Sequence, residues 1–221
     1  MLPPHRNKLR GLRRVEHCAR MKAIDGSGLR ALGCHICVRP LSTGDARSVR
    51  DGFASAAAAL TTRYSFPRSL ASVSAQLELE RARGHAQRFA ITADERLIGV
   101  CSLQPPLYSG KELTIAIFDA GFRGRGVGTH AVGAVCRYGF QVLKTHRIEL
   151  GVYADNHAAR ACYRRCGFRY EARLRKFLYH DGGYRDILWM SLLPATRYIV
   201  VAGERRQNGT NRYRHELRSP M

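Results

Sequence analysis

The sequence predicts a single α+β domain: one mixed β-sheet with helices on both faces. Two observations carry this. Strand-like runs come in hairpin pairs early and late in the chain, and between them lies a strand, glycine-rich turn, helix and strand in succession. Length agrees, because 221 residues, 45% of them apolar, supply one full core and are short for two. No internal repeat interrupts the order β-α-α-β-β-β-α-β-α-β-β.

The domain is expected to span 34–193, opening with a short strand over Cys34-His35-Ile36-Cys37-Val38-Arg39. Pro40 and the run Thr43 to Asp45 turn the chain into a helix across Ala46 to Leu60. A break at Tyr64-Ser65-Phe66-Pro67 precedes a second amphipathic helix near Leu70 to Arg83. Strands follow at Arg88 to Thr92 and Leu97 to Leu103, joined by the hairpin signal Ala93-Asp94-Glu95. Lys111 to Phe118 is the next strand, and it runs into Arg123-Gly124-Arg125-Gly126-Val127-Gly128.

The helix after those glycines shows apolar residues at Val127, Ala131, Val135, Tyr138 and Val142, spaced four, four, three and four. Arg147 to Tyr153 alternates as a strand, with Ile148, Leu150 and Val152 on one face. Asp155-Asn156 caps a short helix that Gly167 stops. Phe168 to Tyr179 and Tyr184 to Leu192 flank Asp181-Gly182-Gly183 as a terminal hairpin.

Residues 1–33 and 194–221 lack a core-facing pattern and read as basic, flexible extensions. The formal charge is +20, with +6 on 1–33 and +4 on 195–221. Such a charge attracts polyanions: RNA, ribosomes or a phosphorylated cofactor. The seven cysteines are scattered, and no secretory signal or membrane-length apolar run is evident, so reduced thiols and a cytoplasmic location are expected. Cys34 and Cys37 form a CxxC pair without a second pair, so no metal site is predicted.

The glycine segment carries the chemistry. Glycines at 124, 126 and 128 remove the Cβ atoms that would block a ligand from the backbone. The helix beginning there offers unpaired N–H groups and the positive end of its dipole. Together they suit a diphosphate, with Arg123 and Arg125 adding charge. No Gly-Lys-Ser/Thr triplet follows, which excludes a P-loop. Gly126-Val127-Gly128-Thr129-His130-Ala131 satisfies G-x-G-x-x-A, and Glu149 lies where a ribose-binding acid would be sought. A nicotinamide-dependent oxidoreductase is nonetheless disfavoured, because the strands left after Glu149 form a hairpin rather than further βα units.

Arg123-Gly124-Arg125-Gly126-Val127-Gly128 resembles the Q/R-x-x-G-x-G/A motif of the GNAT superfamily of acyl-CoA N-acyltransferases. The run from Asn156 through Ala159 and Tyr163 to Gly167-Phe168 resembles the family's N-x-x-A-x-x-x-Y-x-x-x-G-F signature. The closing hairpin, with Asp181-Gly182 and Asp186-Ile187, looks most like the ribosomal-protein-alanine N-acetyltransferase branch. The resemblance covers about residues 34 to 193 and implies a sheet splayed at its centre, with acetyl-CoA as co-substrate. It places the coenzyme's diphosphate on the amides from Arg123 to Gly128 with Thr129 at the helix start, its pantetheine beside Ile117 and Phe118, and Asn156 against the pantetheine portion. The helix pair, the break at Tyr64 to Pro67 and the hairpin around Tyr179 to Asp181 would wall the acceptor.

The implied acceptor is a primary amine, either a protein N-terminus (including a ribosomal one) or a small molecule. An ammonium cannot attack a thioester until it loses a proton, and the departing thiolate needs one. Tyr163 matches the family's general acid, since a phenol of ordinary pKa about 10 is protonated at neutral pH. For the base, Gly151 stands where some relatives carry a carboxylate. Glu149, two residues earlier on the same strand face, and Glu112, at the start of the fourth strand, are the candidates. An RNA- or ribosome-binding protein acting through its basic ends is the competing reading, and monomer and homodimer both stay open.

Overall fold

The computed structural model describes residues 33–54, 69–83, 87–105, 110–180 and 182–194. Seven strands form one sheet in the order β1-β2-β3-β4-β5-β7-β6. They are β1 (Ile36–Pro40), β2 (Gln87–Ala93), β3 (Arg96–Gln104), β4 (Lys111–Ile117), β5 (Ile148–Tyr153), β6 (Arg169–His180) and β7 (Gly183–Leu192). Among the described residues, four helices, α1 (Ala46–Ala54), α2 (Leu70–Arg83), α3 (Val127–Gln141) and α4 (His157–Arg165), join them in the predicted order. The first helix is described only to Ala54, so its expected continuation to Leu60 and the break at Tyr64 to Pro67 lie outside the described residues. So do the two basic end segments.

Local chemistry explains the element ends. Asp94 and Glu95 both take positive φ, 44° and 71°, which gives the two-residue turn that matches strand twist. Asp94 also accepts the His35 amide at 2.7 Å, tying this turn to the start of β1. Asp45 caps the turn into α1 by accepting the Ser42 amide and hydroxyl, both at 2.8 Å, and it pairs with Arg39. Burial pushes the Asp45 carboxyl up, but the hydrogen bonds from Arg39 and Ser42 outweigh it and hold the group below the ordinary carboxylate range.

Helices cover both faces, as expected. On one face, α3 and α4 bury Val127, Ala131, Val135, Tyr138 and Tyr163 against Phe89, Leu103, Ile148 and Leu150. Phe89 meets Tyr138 edge to face at 5.3 Å. On the other face, Ala46, Val49, Val73 and Leu77 of α1 and α2 pack together with Leu97 and Val100 of β3. Strand alternation decides which side chain reaches which layer.

The one parallel contact is where the sheet opens. β4 and β5 pair only at Lys111–Ile148 and Glu112–Glu149. Beyond that point β4 stays on β3 as far as Ile117–Gly99, and β5 stays on β7 as far as Tyr153–Ile187. Each half is fully paired on its outer side, so the parting is a built feature of the fold. It leaves a gap between two strand edges that face each other without pairing.

Gly99 sets how closely β3 and β4 approach. A Cβ there would lie 2.5 Å from the Ala116 carbonyl oxygen and 3.2 Å from the Ile117 Cα. Backbone cannot swing aside as a side chain can, so the Gly99→Ala variant is expected to lose about 2–3 kcal/mol of stability. A shifted urea midpoint with an unchanged slope checks this.

Candidate active site

A cleft of about 380 Å³ enters the sheet where β4 and β5 separate. Ile115 and Ile117 line one wall, Gly151 and Tyr153 the other. Its two ends differ in chemistry.

At one end is the mouth of α3. Gly124 and Gly126 have φ of 71° and 87°, left-handed values that side chains disfavour. Gly126 is the N-cap residue and supplies no side-chain cap, and the first intrahelical bond is His130 N–H to the Gly126 carbonyl at 2.9 Å. The amides of Val127, Gly128 and Thr129 precede that bond and lie at the helix mouth. The α4 mouth differs: there Asn156 Oδ1 accepts the Ala159 amide at 3.0 Å. One helix start is closed by a side chain and the other has no side-chain cap, the condition an anion site requires.

Gly124, Gly126, Gly128, Thr129 and Asn156 all line the cleft, as do Ile117 and Arg123. The side chains of three other expected residues lie outside the cleft lining. Val127 is fully buried beneath the loop, and Arg125 is exposed. Phe118 gives its amide to the Ile98 carbonyl at 2.8 Å and packs its ring against Phe53 at 4.9 Å. Arg123 turns back on the strand it follows, donating to the Ile117 carbonyl at 2.8 and 3.1 Å. It thereby fixes the loop to the end of β4.

Cys162 also borders this end, a residue for which the sequence reading had no role. Its sulfur accepts the Thr129 hydroxyl at 3.5 Å, and the Cys166 thiol donates to the Thr129 carbonyl at 3.5 Å. The Cys166 thiol holds the Cys162 thiol below its usual range against the opposing effect of burial, with Thr129 and Arg165 adding to the shift. Tyr163, next in sequence, is almost wholly buried, lines the cleft and tilts against Phe168 at 5.9 Å.

The other end is polar and was not foreseen. Ser102 and Thr114 share a 2.6 Å hydroxyl contact across β3 and β4, and Gln104 donates to Ser102 at 3.2 Å. Glu80 of α2 accepts from Gln76 at 2.9 Å and forms a two-pronged ion pair with Arg88 of β2, one prong at 2.7 Å. Burial opposes ionisation of Glu80, but the Arg88 and Gln76 hydrogen bonds prevail and hold its carboxyl below the ordinary range. Gln76 and Glu80 are one helical turn apart, a visible signal. Their convergence with Arg88, Ser102 and Thr114 is a product of the tertiary fold.

Glu112 and Glu149 are neighbours at the last paired register before the strands part. Neither lines the cleft. Glu149 is engaged by Arg147 at 2.8 Å, and Arg147 also grips Glu171 at 2.5 and 3.0 Å. Among the described residues no cluster fit to hold a metal ion occurs, and no helix is long and apolar enough to cross a membrane.

The sheet is parted between its two parallel strands, and the helix mouth at one end of the gap has no side-chain cap. The sequence pattern of the acetyltransferase (GNAT) domain matches residues 35–169, and the chain belongs to that family. It is 30% identical over 120 residues to the probable N-acetyltransferase YjcK of Bacillus subtilis (strain 168), covering 53% of this chain and 66% of that one. The spermidine N-acetyltransferase SpeG chimera from Vibrio cholerae and hSSAT shares the fold, with TM-score 0.64 and 24% identity over 72% of this chain and 95% of the other. So does RimJ of Mycobacterium smegmatis in complex with CoA-disulfide, with TM-score 0.63 and 21% identity over 72% and 82%. The match spans less than two thirds of the curated relative's length.

Proposed function

We propose that this chain transfers an acetyl group from acetyl-CoA to a primary amine by direct attack on the thioester, with 34–193 as the catalytic unit and basic segments on either side. One observation carries the reading: a single cleft joins the uncapped mouth of α3 to a polar pocket through the gap between β4 and β5. In this reading the amides of Val127, Gly128 and Thr129 hold the diphosphate. The pantetheine lies in the gap and pairs with main chain much as an added strand would. Asn156, whose Oδ1 is committed to its helix cap, meets the pantetheine through its side-chain NH₂ group. Arg123 positions the loop, and Phe118 holds the end of β4 against α1.

The amine enters from the end lined by Gln76, Glu80, Ser102 and Thr114. A β4 amide in the gap polarises the thioester carbonyl and steadies the oxyanion formed by attack. The new C–N bond forms as the C–S bond breaks, and Tyr163 protonates the leaving thiolate. The amine's proton leaves through water. Glu149, two residues or about 7 Å along β5 from Gly151 and outside the cleft lining, receives that proton only through intervening water, with its carboxylate held by Arg147. Glu112 supports that pairing from β4. All six described cysteines are unbonded, which suits the reducing cytoplasm where we place the reaction.

Charge narrows the acceptor. Among the described lining residues Glu80 is the sole carboxylate, against the guanidiniums of Arg88, Arg123 and Arg165. Such a wall repels a polycation and accommodates one ammonium beside neutral hydrogen-bonding groups. A peptide N-terminus fits, with Gln76, Gln104 and Ser102 able to meet peptide amides. A thiol-release assay with acetyl-CoA is expected to give a kcat/KM at least tenfold higher for N-terminal peptides than for spermidine. Equal or better turnover of spermidine would overturn the acceptor reading, and no thiol release with any amine would overturn the whole.

A further inference from the structure

The end of the cleft at the mouth of α3 carries a pair of thiols that acetyl transfer does not use. Cys162 lines the cleft, and a Cβ added at Gly128 would lie 3.5 Å from its sulfur. Cys166, one helical turn further along, is buried. Both sulfurs converge on Thr129: Cys162 accepts from its hydroxyl and Cys166 donates to its carbonyl, each at 3.5 Å. The hydrogen bond from Cys166, with Thr129 and Arg165, favours the Cys162 thiolate against the opposing effect of burial. That same contact, together with burial, keeps Cys166 protonated. One thiol is thus open to the cleft, and the other is sheltered beside it.

We propose that Cys162 is a site of oxidation by hydrogen peroxide, and that Cys166 then closes a disulfide to it that shuts this end of the cleft. Cysteines oxidised in this way are accessible and stand next to a second, resolving cysteine. The Cys162 thiolate attacks one peroxide oxygen, the O–O bond breaks, and the hydroxide released takes a proton to become water. Sulfur is left as the sulfenic acid, and the charge that kept Cys166 protonated is gone. The Cys166 thiol gives up its proton and attacks the Cys162 sulfur. An S–S bond forms as the S–O bond breaks, and the second hydroxide leaves with that proton as water. Two thiols and one peroxide thus give one disulfide and two waters.

Residues four apart in a helix hold their Cβ atoms about 5–6 Å apart, and a disulfide holds them at about 3.5–4.5 Å. The pair must therefore draw together by roughly 1–2 Å. The end of α4 permits this, because Cys166 is the C-cap residue and Gly167 follows with φ at 91°. Only the last turn is drawn in. Closure takes both sulfurs from Thr129 and distorts the turn that carries Tyr163 and Arg165. The loss of acetyl-CoA affinity that follows rests on the reading of the α3 mouth as the diphosphate site; the thiol chemistry does not. A dithiol reverses the change by exchange. Cys101 and Cys136 also influence Cys166, but both are 1% exposed and sealed from peroxide. Cys34 and Cys37 are partly exposed and serve as internal comparisons.

Peptide mass spectrometry of the full chain, after a pulse of hydrogen peroxide and alkylation of the remaining thiols, tests this. Trypsin cuts after Arg160, Arg164, Arg165 and Arg169, so the disulfide appears as peptides 161–164 and 166–169 joined to each other. The joined pair is expected to form at least tenfold faster than any oxidation product of Cys34 or Cys37, and dithiothreitol should remove it. In Cys166→Ala the sulfenic acid has no resolving thiol, so dimedone should label Cys162. If that variant fails to fold, the joined peptides of the parent decide the matter. The oxidised parent should bind acetyl-CoA at least tenfold more weakly in titration calorimetry, with recovery in dithiothreitol. A chain that ignores acetyl-CoA before oxidation yet yields the joined peptides would sink the diphosphate reading and leave the thiol pair standing. Prior oxidation of Cys34 or Cys37, a link from Cys162 to Cys101 or Cys136, or a joined pair that leaves acetyl-CoA binding intact overturns the proposal.

Discussion

Replacing Gly126 by valine is expected to weaken acetyl-CoA binding at least a hundredfold while the domain stays folded. Gly126 holds φ at 87°, a value a β-branched residue reaches only at a cost of roughly 1–3 kcal/mol. The loop can escape by rotating φ to negative values, but that turns the following amides away from the cleft. Hydrogen bonds to a charged group contribute about 1.5–3 kcal/mol each, so losing two exceeds the 2.8 kcal/mol or so that corresponds to a hundredfold. Titration calorimetry reads the loss, and a thermal melt shows whether the fold survives. Gly133→Ala is the matched control. It lies in the same helix with no atom within 4 Å of an added Cβ, so it is expected to bind normally and melt slightly higher. Normal binding by Gly126→Val would remove the diphosphate from the α3 mouth, and the acyl-CoA assignment with it.

What the sequence revealed, and what it hid, follows from how local each feature is. The α3 mouth was readable because its parts are contiguous: a strand, three glycines and a helix whose first cap has no polar side chain. Asn156 and Gly167 were readable as cap and stop for the same reason, and Gly167 does take a φ of 91°. The parting of β4 from β5 entered through family resemblance, since no run of residues encodes a missing pairing. Arg123 shows the limit of composition. An arginine in a phosphate-type loop invites a phosphate role, and composition does not show that its guanidinium also ties the loop to the Ile117 carbonyl. The polar end of the cleft was hidden because Glu80, Arg88, Ser102 and Thr114 come from one helix and three strands, and only the fold brings them together. Alternation puts Glu149 on the strand face of Gly151, but it is silent about Arg147, which pairs with its carboxylate.

The second large effect is expected at Tyr163. Removing only its hydroxyl, in Tyr163→Phe, should lower kcat about a hundredfold or more, in the range for loss of a general acid. Acetyl-CoA affinity should stay within about twofold of the parent, because the ring still fills its place against Phe168. Thiol release measured from pH 6 to 10 separates a chemical role from a packing role. The wild-type rate should rise with pH as the amine loses its proton, then fall as the acid is lost. In the variant the fall at high pH should vanish, since the leaving thiolate then takes its proton from solvent. A leaving group that needs no proton sharpens the distinction. An acyl donor with a low-pKa thiol in place of coenzyme A should restore most of the rate to Tyr163→Phe. A tyrosine that merely packed α4 against the sheet would depress every donor alike, lower the thermal melt and leave the pH profile unchanged.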